Sequence, residues 1–343
     1  MPRNHVCFFT VAVSSIICSP IAGRLRRTIY GHETAWPEWG GPALGNAHSR
    51  STAQNTSVRK ARSLPLNRPH ADRISSARDR AADYLLSRQS PKSGFCFYRA
   101  EYIDEPNLSD TFHALAALRL LGRKPRWTEG VAAFVAGFAR RCQPYDLFHR
   151  TGILLALDPN YTPEGELQEK IRALKAPPTP ERHSTDLATW FELTQVIVQL
   201  KRRFDLLDEP MALRAEVLGL LHDGGFGTGP DLLNTWAAIE ILRDCGGPLD
   251  LPGLAEFLRR IQVPSLGFTM TLSSRMGRLE LVAAGVATCQ AVGVRIRYRE
   301  DATDFVLACQ AGDGGFAGAP DALPDITLTH RALETLIPLS KDL

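Results

Sequence analysis

Side chains able to exchange protons or hold a polar substrate recur at one point of a repeated pattern in this chain. Each group stands a few residues behind a glycine–phenylalanine turn, where an apolar run begins. Behind Gly94-Phe95 the run reads NLSDTFHALAAL from Asn107. Behind Gly225-Phe226 it reads DLLNTWAAIEIL from Asp231, and behind Gly315-Phe316 it reads DITLTHRALETL from Asp325. Asp110, Asp325 and His330 are the candidates for acid–base work, because a carboxyl or an imidazole with a suitably tuned pKa gives or takes a proton during reaction. Asn107, His113, Asp231 and Trp236 occupy neighbouring positions of the same pattern and are candidates for contacting substrate. A partial copy, TDLATWFEL from Thr185, adds Trp190.

The elements that must position these residues follow from the pattern. A short polar residue at the head of each run suits a helix N-cap, and apolar residues at spacings of three and four then give a buried stripe. The turn ahead reads Q-x4-G-F at Gln89, Gln262 and Gln310, and a fourth copy at Leu220 keeps Gly225-Phe226 without the glutamine. The last three copies lie 42 and 48 residues apart. A period in the forties marks stacked helical pairs, each unable to bury its apolar face alone. Two degenerate units, at about 125–160 and 163–205, fill the gap of 131 residues between the first two copies, which makes six units. Strand signals are sparse.

Length and composition bound the rest. The chain has 343 residues, 44% of them hydrophobic, which suits one large helical domain plus an extension. Residues 1–75 carry ten Lys and Arg against three acids, leaving the remainder net acidic. The apolar run at 6–22 resembles a signal segment, and residues 23–75 read as a disordered tail. The domain is therefore expected over 76–343, with its first helix from Ala77. Basic residues without interleaved aromatics give no sign of nucleic-acid binding. Seven scattered cysteines with no C-x-x-C favour reduced thiols and a cytoplasmic location.

The run QAGDGGFAGAPDALPD followed by a helix resembles the repeats of protein prenyltransferase β subunits, and the Q-x4-G-aromatic spacing resembles those of class II terpene cyclases. The resemblance covers about 78–338 and implies an all-α fold, an α/α6 toroid of six helical hairpins. It also implies chemistry in a central funnel, where the inner helices begin. Function is then expected to be that of an isoprenoid-handling enzyme of the terpene cyclase or prenyltransferase type. Its ligand would be a prenyl diphosphate or another hydrophobic small molecule. The alternatives are a non-catalytic toroid that binds a hydrophobic ligand or partner, and a β-type subunit that needs an α partner.

Site residues carry over unevenly. The cyclase branch uses D-x-D-D-T, and NLSDT at 107–111 keeps only Asp110 of its acids. Asn107 and Ser109 cannot protonate an alkene. The prenyltransferase branch holds zinc with D-x-C and a histidine three residues behind an aspartate. The fifth unit has GRLELVAAG instead, and the residue three behind Asp325 is Leu328, with His330 two positions late. Zinc or magnesium stays open as a cofactor, with an incomplete ligand motif and no assigned metal ligand. For a diphosphate the resemblance implies basic residues at inner-helix starts, here His113, His149, Arg150, Arg275 and Arg278. Arginine suits that role because its planar fork donates two hydrogen bonds at once.

Overall fold

The computed structural model describes residues 70–91, 93–100 and 103–341. The signal-like run at 6–22 and the tail that follows it lie outside the described residues. Among the described residues twelve helices alternate in six pairs. The first members of the pairs are α1 (His70–Ser87), α3 (Thr128–Ala136), α5 (Gly165–Ala173), α7 (Pro210–Gly219), α9 (Leu254–Arg260) and α11 (Arg299–Ala308). The second members are α2 (Leu108–Leu120), α4 (Pro144–Leu157), α6 (Leu187–Arg203), α8 (Leu232–Asp244), α10 (Leu279–Val292) and α12 (Ile326–Leu339). Each second helix contacts the next one, and α12 contacts α2, so these six close a ring; each first helix packs on its own partner outside it. Two antiparallel ribbons, β1 (Arg99–Ala100) with β2 (Ile103–Asp104) and β3 (Gln262–Val263) with β4 (Gly267–Phe268), are the strands among the described residues. No helix of the described residues is long and apolar enough to cross a membrane.

The repeated residues have repeated jobs. Asn107, Asp231 and Asp325 are N-caps in extended backbone, each accepting from the backbone N–H three residues on. The threonine behind each cap latches the turn to the helix. Thr111 accepts from Phe95 N at 2.9 Å, Thr235 from Phe226 N at 3.1 Å and Thr329 from Phe316 N at 2.9 Å. Each buried phenylalanine N–H thus finds the partner that burial demands. The glutamines stitch one unit to the next. Gln89 bonds Trp127 O and Arg126 N, and Gln262 bonds Arg295 O and Arg297 N. Gln310 reaches Ala77 O at 2.8 Å and accepts from Arg80, which closes the ring. Asp304 of α11 adds His70 and Arg73 of α1 to that seam.

Glycine is required where a turn meets the following unit. Gly224 has φ +82°, and a Cβ there would lie 2.5 Å from Gly253 O at the head of α9. A side chain is strained by that φ and blocked by that carbonyl.

Two expectations are corrected. The first helix starts at His70 rather than Ala77, because Ile74 and Ala77 already carry the buried stripe and His70 and Arg73 hold Asp304. Asp186 is not a side-chain cap of α6. Its backbone is already helical (φ −81°, ψ −8°), so its carboxylate does not reach a free N–H.

Candidate functional site

A cavity of ≈ 1310 Å³ lies at the C-terminal ends of α2, α4, α6 and α12. Phe112, Gly152, Leu155, Tyr161 and Ile337 give it apolar walls, and Arg119, Arg202, Arg203 and Lys341 give it basic ones. It reaches inward to His330 and Glu334. The cavity lies at the other end of the inner helices from the expected site. Three helix starts carry their own side-chain caps, and the C-terminal ends carry cations that suit the exposed carbonyls there. Arg203 is held in place: Nη1 donates to Phe148 O and Thr151 Oγ1, both at 3.4 Å, and its Cζ lies 4.5 Å from the centre of the Phe148 ring. Burial pulls its pKa down to about 10, so it stays charged at neutral pH. Arg202 is exposed and lies 3.7 Å from Asp205.

Above the cavity, three histidines from three helices meet. His113 of α2 and His330 of α12 face each other Nδ1 to Nδ1 at 3.1 Å, one donating to the other. The His149 ring of α4 lies 5.8 Å from that of His113 and 5.4 Å from Phe112. All three are buried. Desolvation pulls His149 and His330 down to about 3 and His113 well below its ordinary value, so all three are neutral. Neutral imidazoles bring no positive charge to a diphosphate and could offer it only an N–H donor. His330, lowered to about 3 by burial, is held neutral and brings no imidazolium to acid–base work at neutral pH.

At the opposite end, Asp110 accepts from the Asn107 amide and from Phe97 N–H, yet burial raises it to about 6. Asp325 is raised to about 7 by burial, against the Leu328 N–H bond at 2.6 Å and with Asp110 and Glu280 adding repulsion. Asp231 is raised too, and bonds Asn234 N at 2.9 Å. Asp231 and Asp325 are N-caps first, and Asp110 braces the Asn107 cap. Arg275 is exposed on the α9–α10 loop, and Arg278 donates to Glu280 at 2.7 Å. Arg150 turns away from its neighbour His149 and donates to Ala139 O at 3.1 Å, since adjacent residues on a helix point about 100° apart. The aromatics part company as well. Phe112 lines the cavity, Trp190 donates to Pro177 O at 2.9 Å, and Trp236 is buried against Arg331 of α12.

The residues do not fit a zinc ion. The fifth-unit stretch that lacks D-x-C holds Arg278 and Glu280 bonded to each other, and the residue three behind Asp325 is the apolar Leu328. Among the described residues no group of three His, Cys, Asp or Glu is placed to hold a metal.

Arg119, Arg202, Arg203 and Lys341 carry no sequence signal beyond the basic run Lys201–Arg203 at the end of an apolar helix. Ordinary helix capping explains such a run equally well. Arg331 and Glu240 lie inside regular helical pattern and are found only by their burial.

Comparison with known proteins agrees with this architecture. A segment of 107 residues is 33% identical to protein farnesyltransferase subunit beta of Pisum sativum, covering 29% of this chain and 25% of that protein. A segment of 131 residues is 29% identical to protein farnesyltransferase subunit beta of Arabidopsis thaliana, covering 35% and 27%. The likeness thus spans about a quarter of the length of these curated relatives. The family description "Prenyltransferase alpha-alpha toroid domain" matches residues 61–154 and 171–343. With its six helical hairpins closed into a ring, the chain belongs to the prenyltransferase alpha-alpha toroid domain family.

Proposed function

We propose that this toroid handles a prenyl chain, taking a prenyl diphosphate into the large cavity with its tail on the apolar walls and its head on the basic side chains. One observation carries the reading: a 1310 Å³ cavity that joins Phe112, Leu155 and Ile337 to Arg119, Arg202, Arg203 and Lys341. Ligand pockets are commonly roughly 300–1,000 Å³, so the space accommodates a long isoprenoid. Each buried CH₂ contributes about 0.8 kcal/mol, and arginine forks suit phosphate oxygens. Neither the cyclase acid nor the zinc set is present, so the reading is one of binding, with transfer chemistry left to groups outside those two motifs. The relatives are named as beta subunits. Exposed Met270, Leu272, Met276 and Leu323 on the loops at the turn end support an α-type partner there. Cys96, Cys245, Cys289 and Cys309 are buried free thiols, which supports a reducing, cytoplasmic setting.

The test is calorimetric titration of the protein with geranyl, farnesyl and geranylgeranyl diphosphate, with farnesol as the uncharged control. Saturable binding is expected for at least one diphosphate, weakened about tenfold in an Arg202→Gln/Lys341→Gln variant and weaker still for farnesol. Equal binding of farnesol and farnesyl diphosphate, or none of either, removes the proposal.

A further inference from the structure

A second, smaller space lies between α8, α10 and α12. Its volume is ≈ 20 Å³, and it shares Gln290, Glu334 and Pro338 with the large cavity, so the two adjoin at those residues. Ala283, Ala284 and Ala287 form its α10 wall, small side chains that leave the room. Facing them are Trp236 of α8 and Arg331 of α12.

Arg331 is 4% exposed. Its Nη1 donates to Glu334 Oε2 at 3.3 Å, and its Cζ lies 5.3 Å from the Trp236 ring centre. Nε and Nη2 are buried and have no hydrogen-bond partner, and the same holds for the Trp236 indole N–H. Nε and Nη2 form the side-on edge of the guanidinium, the edge that matches two oxygens of one oxyanion. None of the nearby carboxylates accepts from that edge. Glu240 gives its two oxygens to Arg243 at 2.8 and 2.5 Å, and Glu280 takes Arg278 at 2.7 Å. Glu334 meets the opposite edge of Arg331. A buried cation with idle donors is costly unless something accepts from them.

We propose that this alcove is an oxyanion subsite, in which the idle edge of Arg331 takes the carboxylate of an apolar acid whose tail lies in the large cavity. Size selects the carboxylate. A water needs roughly 10–15 Å³ of such space, so the alcove admits one or two oxygen-sized groups and excludes a tetrahedral phosphate. Ala283, Ala284 and Ala287 flank the head, and Gln290 and Pro338, which line both spaces, stand on the side from which the tail would come. The subsite is separate from the basic residues that the diphosphate reading uses, and it stands or falls without them.

The test is calorimetric titration of the full chain with decanoate, 1-decanol and decyl phosphate. Decanoate is expected to bind saturably and at least tenfold more tightly than the other two. Arg331→Lys keeps a charge but loses the fork, and decanoate affinity falls about tenfold or more. Ala287→Leu fills the alcove from α10 with Arg331 intact. Decanoate binding is then lost, while farnesyl diphosphate binding and the far-UV circular dichroism spectrum are retained. Decanoate binding no tighter than decanol, unchanged in Ala287→Leu, or exceeded by decyl phosphate overturns the proposal and leaves a water-filled gap. Decanoate binding without farnesyl diphosphate binding sinks only the prenyl diphosphate reading; the reverse sinks only the alcove.

Discussion

Thr329→Val isolates the latch that each well-formed unit repeats. Thr329 is fully buried; its hydroxyl accepts from Phe316 N at 2.9 Å and donates to Asp325 O at 2.6 Å. Valine fills nearly the same volume, so packing is preserved while the Phe316 N–H loses its acceptor. An orphaned buried N–H costs about 1–3 kcal/mol, and the lost hydroxyl bond falls within the same figure. The expected loss is about 2 kcal/mol, a factor of about 30 in the unfolding equilibrium. Thr335→Val is the matched control. Thr335 is also buried, but its hydroxyl only donates back to Arg331 O, four residues earlier on the same helix. That carbonyl keeps its helical partner, so the change stays within about 0.5 kcal/mol. Urea unfolding followed by far-UV circular dichroism measures both, with equal slopes as the condition for comparing midpoints. Equal destabilisation by the two variants would refute the latch and reduce the conserved-looking spacing of turn and threonine to packing.

Other residues give further tests. Gln310→Ala removes the bonds to Ala77 O and Gly314 O and takes the acceptor from the part-buried Arg80 guanidinium; about 1–3 kcal/mol is expected, with limited proteolysis appearing first at α1. Asp325→Asn keeps an N-cap oxygen but removes a carboxyl raised to about 7 in the fold. A raised acid stabilises the fold most below its ordinary value of 3.8 and loses that contribution as pH rises through about 7. The variant should therefore gain on the wild type from pH 5 to pH 8, by chemical denaturation at each pH; a flat difference would deny that Asp325 is held protonated. Gly285→Ala would push a Cβ into the Phe268 ring. Overpacking costs about 1–3 kcal/mol, against a helix-propensity gain of about 1 kcal/mol, so a net loss of melting temperature is expected rather than the usual gain.

The ring was legible in the sequence because its fastenings are local and repeated. Cap, threonine, turn and glutamine recur at fixed spacing, and each spacing reflects a hydrogen bond made within a unit or to the one beside it. Where a unit lacks them, as at Asp186 and Gln143, neither cap makes a side-chain bond. The cavity was not legible for the opposite reason. Arg119, Arg203 and Lys341 come from three helix ends far apart in the chain, and each one looks like an ordinary cation at a helix C-terminus. The inner polar residues mislead in another way. His113, His149 and His330 have the side chains that catalysis uses, and only their shared burial shows them to be neutral partners of one another. Arg150 and Arg331 differ by nothing in the sequence, yet one donates to the Ala139 carbonyl and the other lines the small alcove between α8, α10 and α12.

The seam between α12, α11 and α1 sets the order in which this chain can fold. Hairpins and neighbouring units join residues a few tens of positions apart, whereas Gln310–Ala77 and Asp304–Arg73 join residues more than 200 apart. Closing so long a loop costs only about 0.6 kcal/mol more for each doubling of length, so the seam is cheap once its neighbours are in place. Its cost falls on speed, because distant contacts are rewarded late. An arc of stacked hairpins should therefore form first, with α1 and α12 as open ends that expose apolar surface until they meet. Once they meet, the ring has no terminal repeat to fray, and it needs none of the polar capping units that an open helical stack requires.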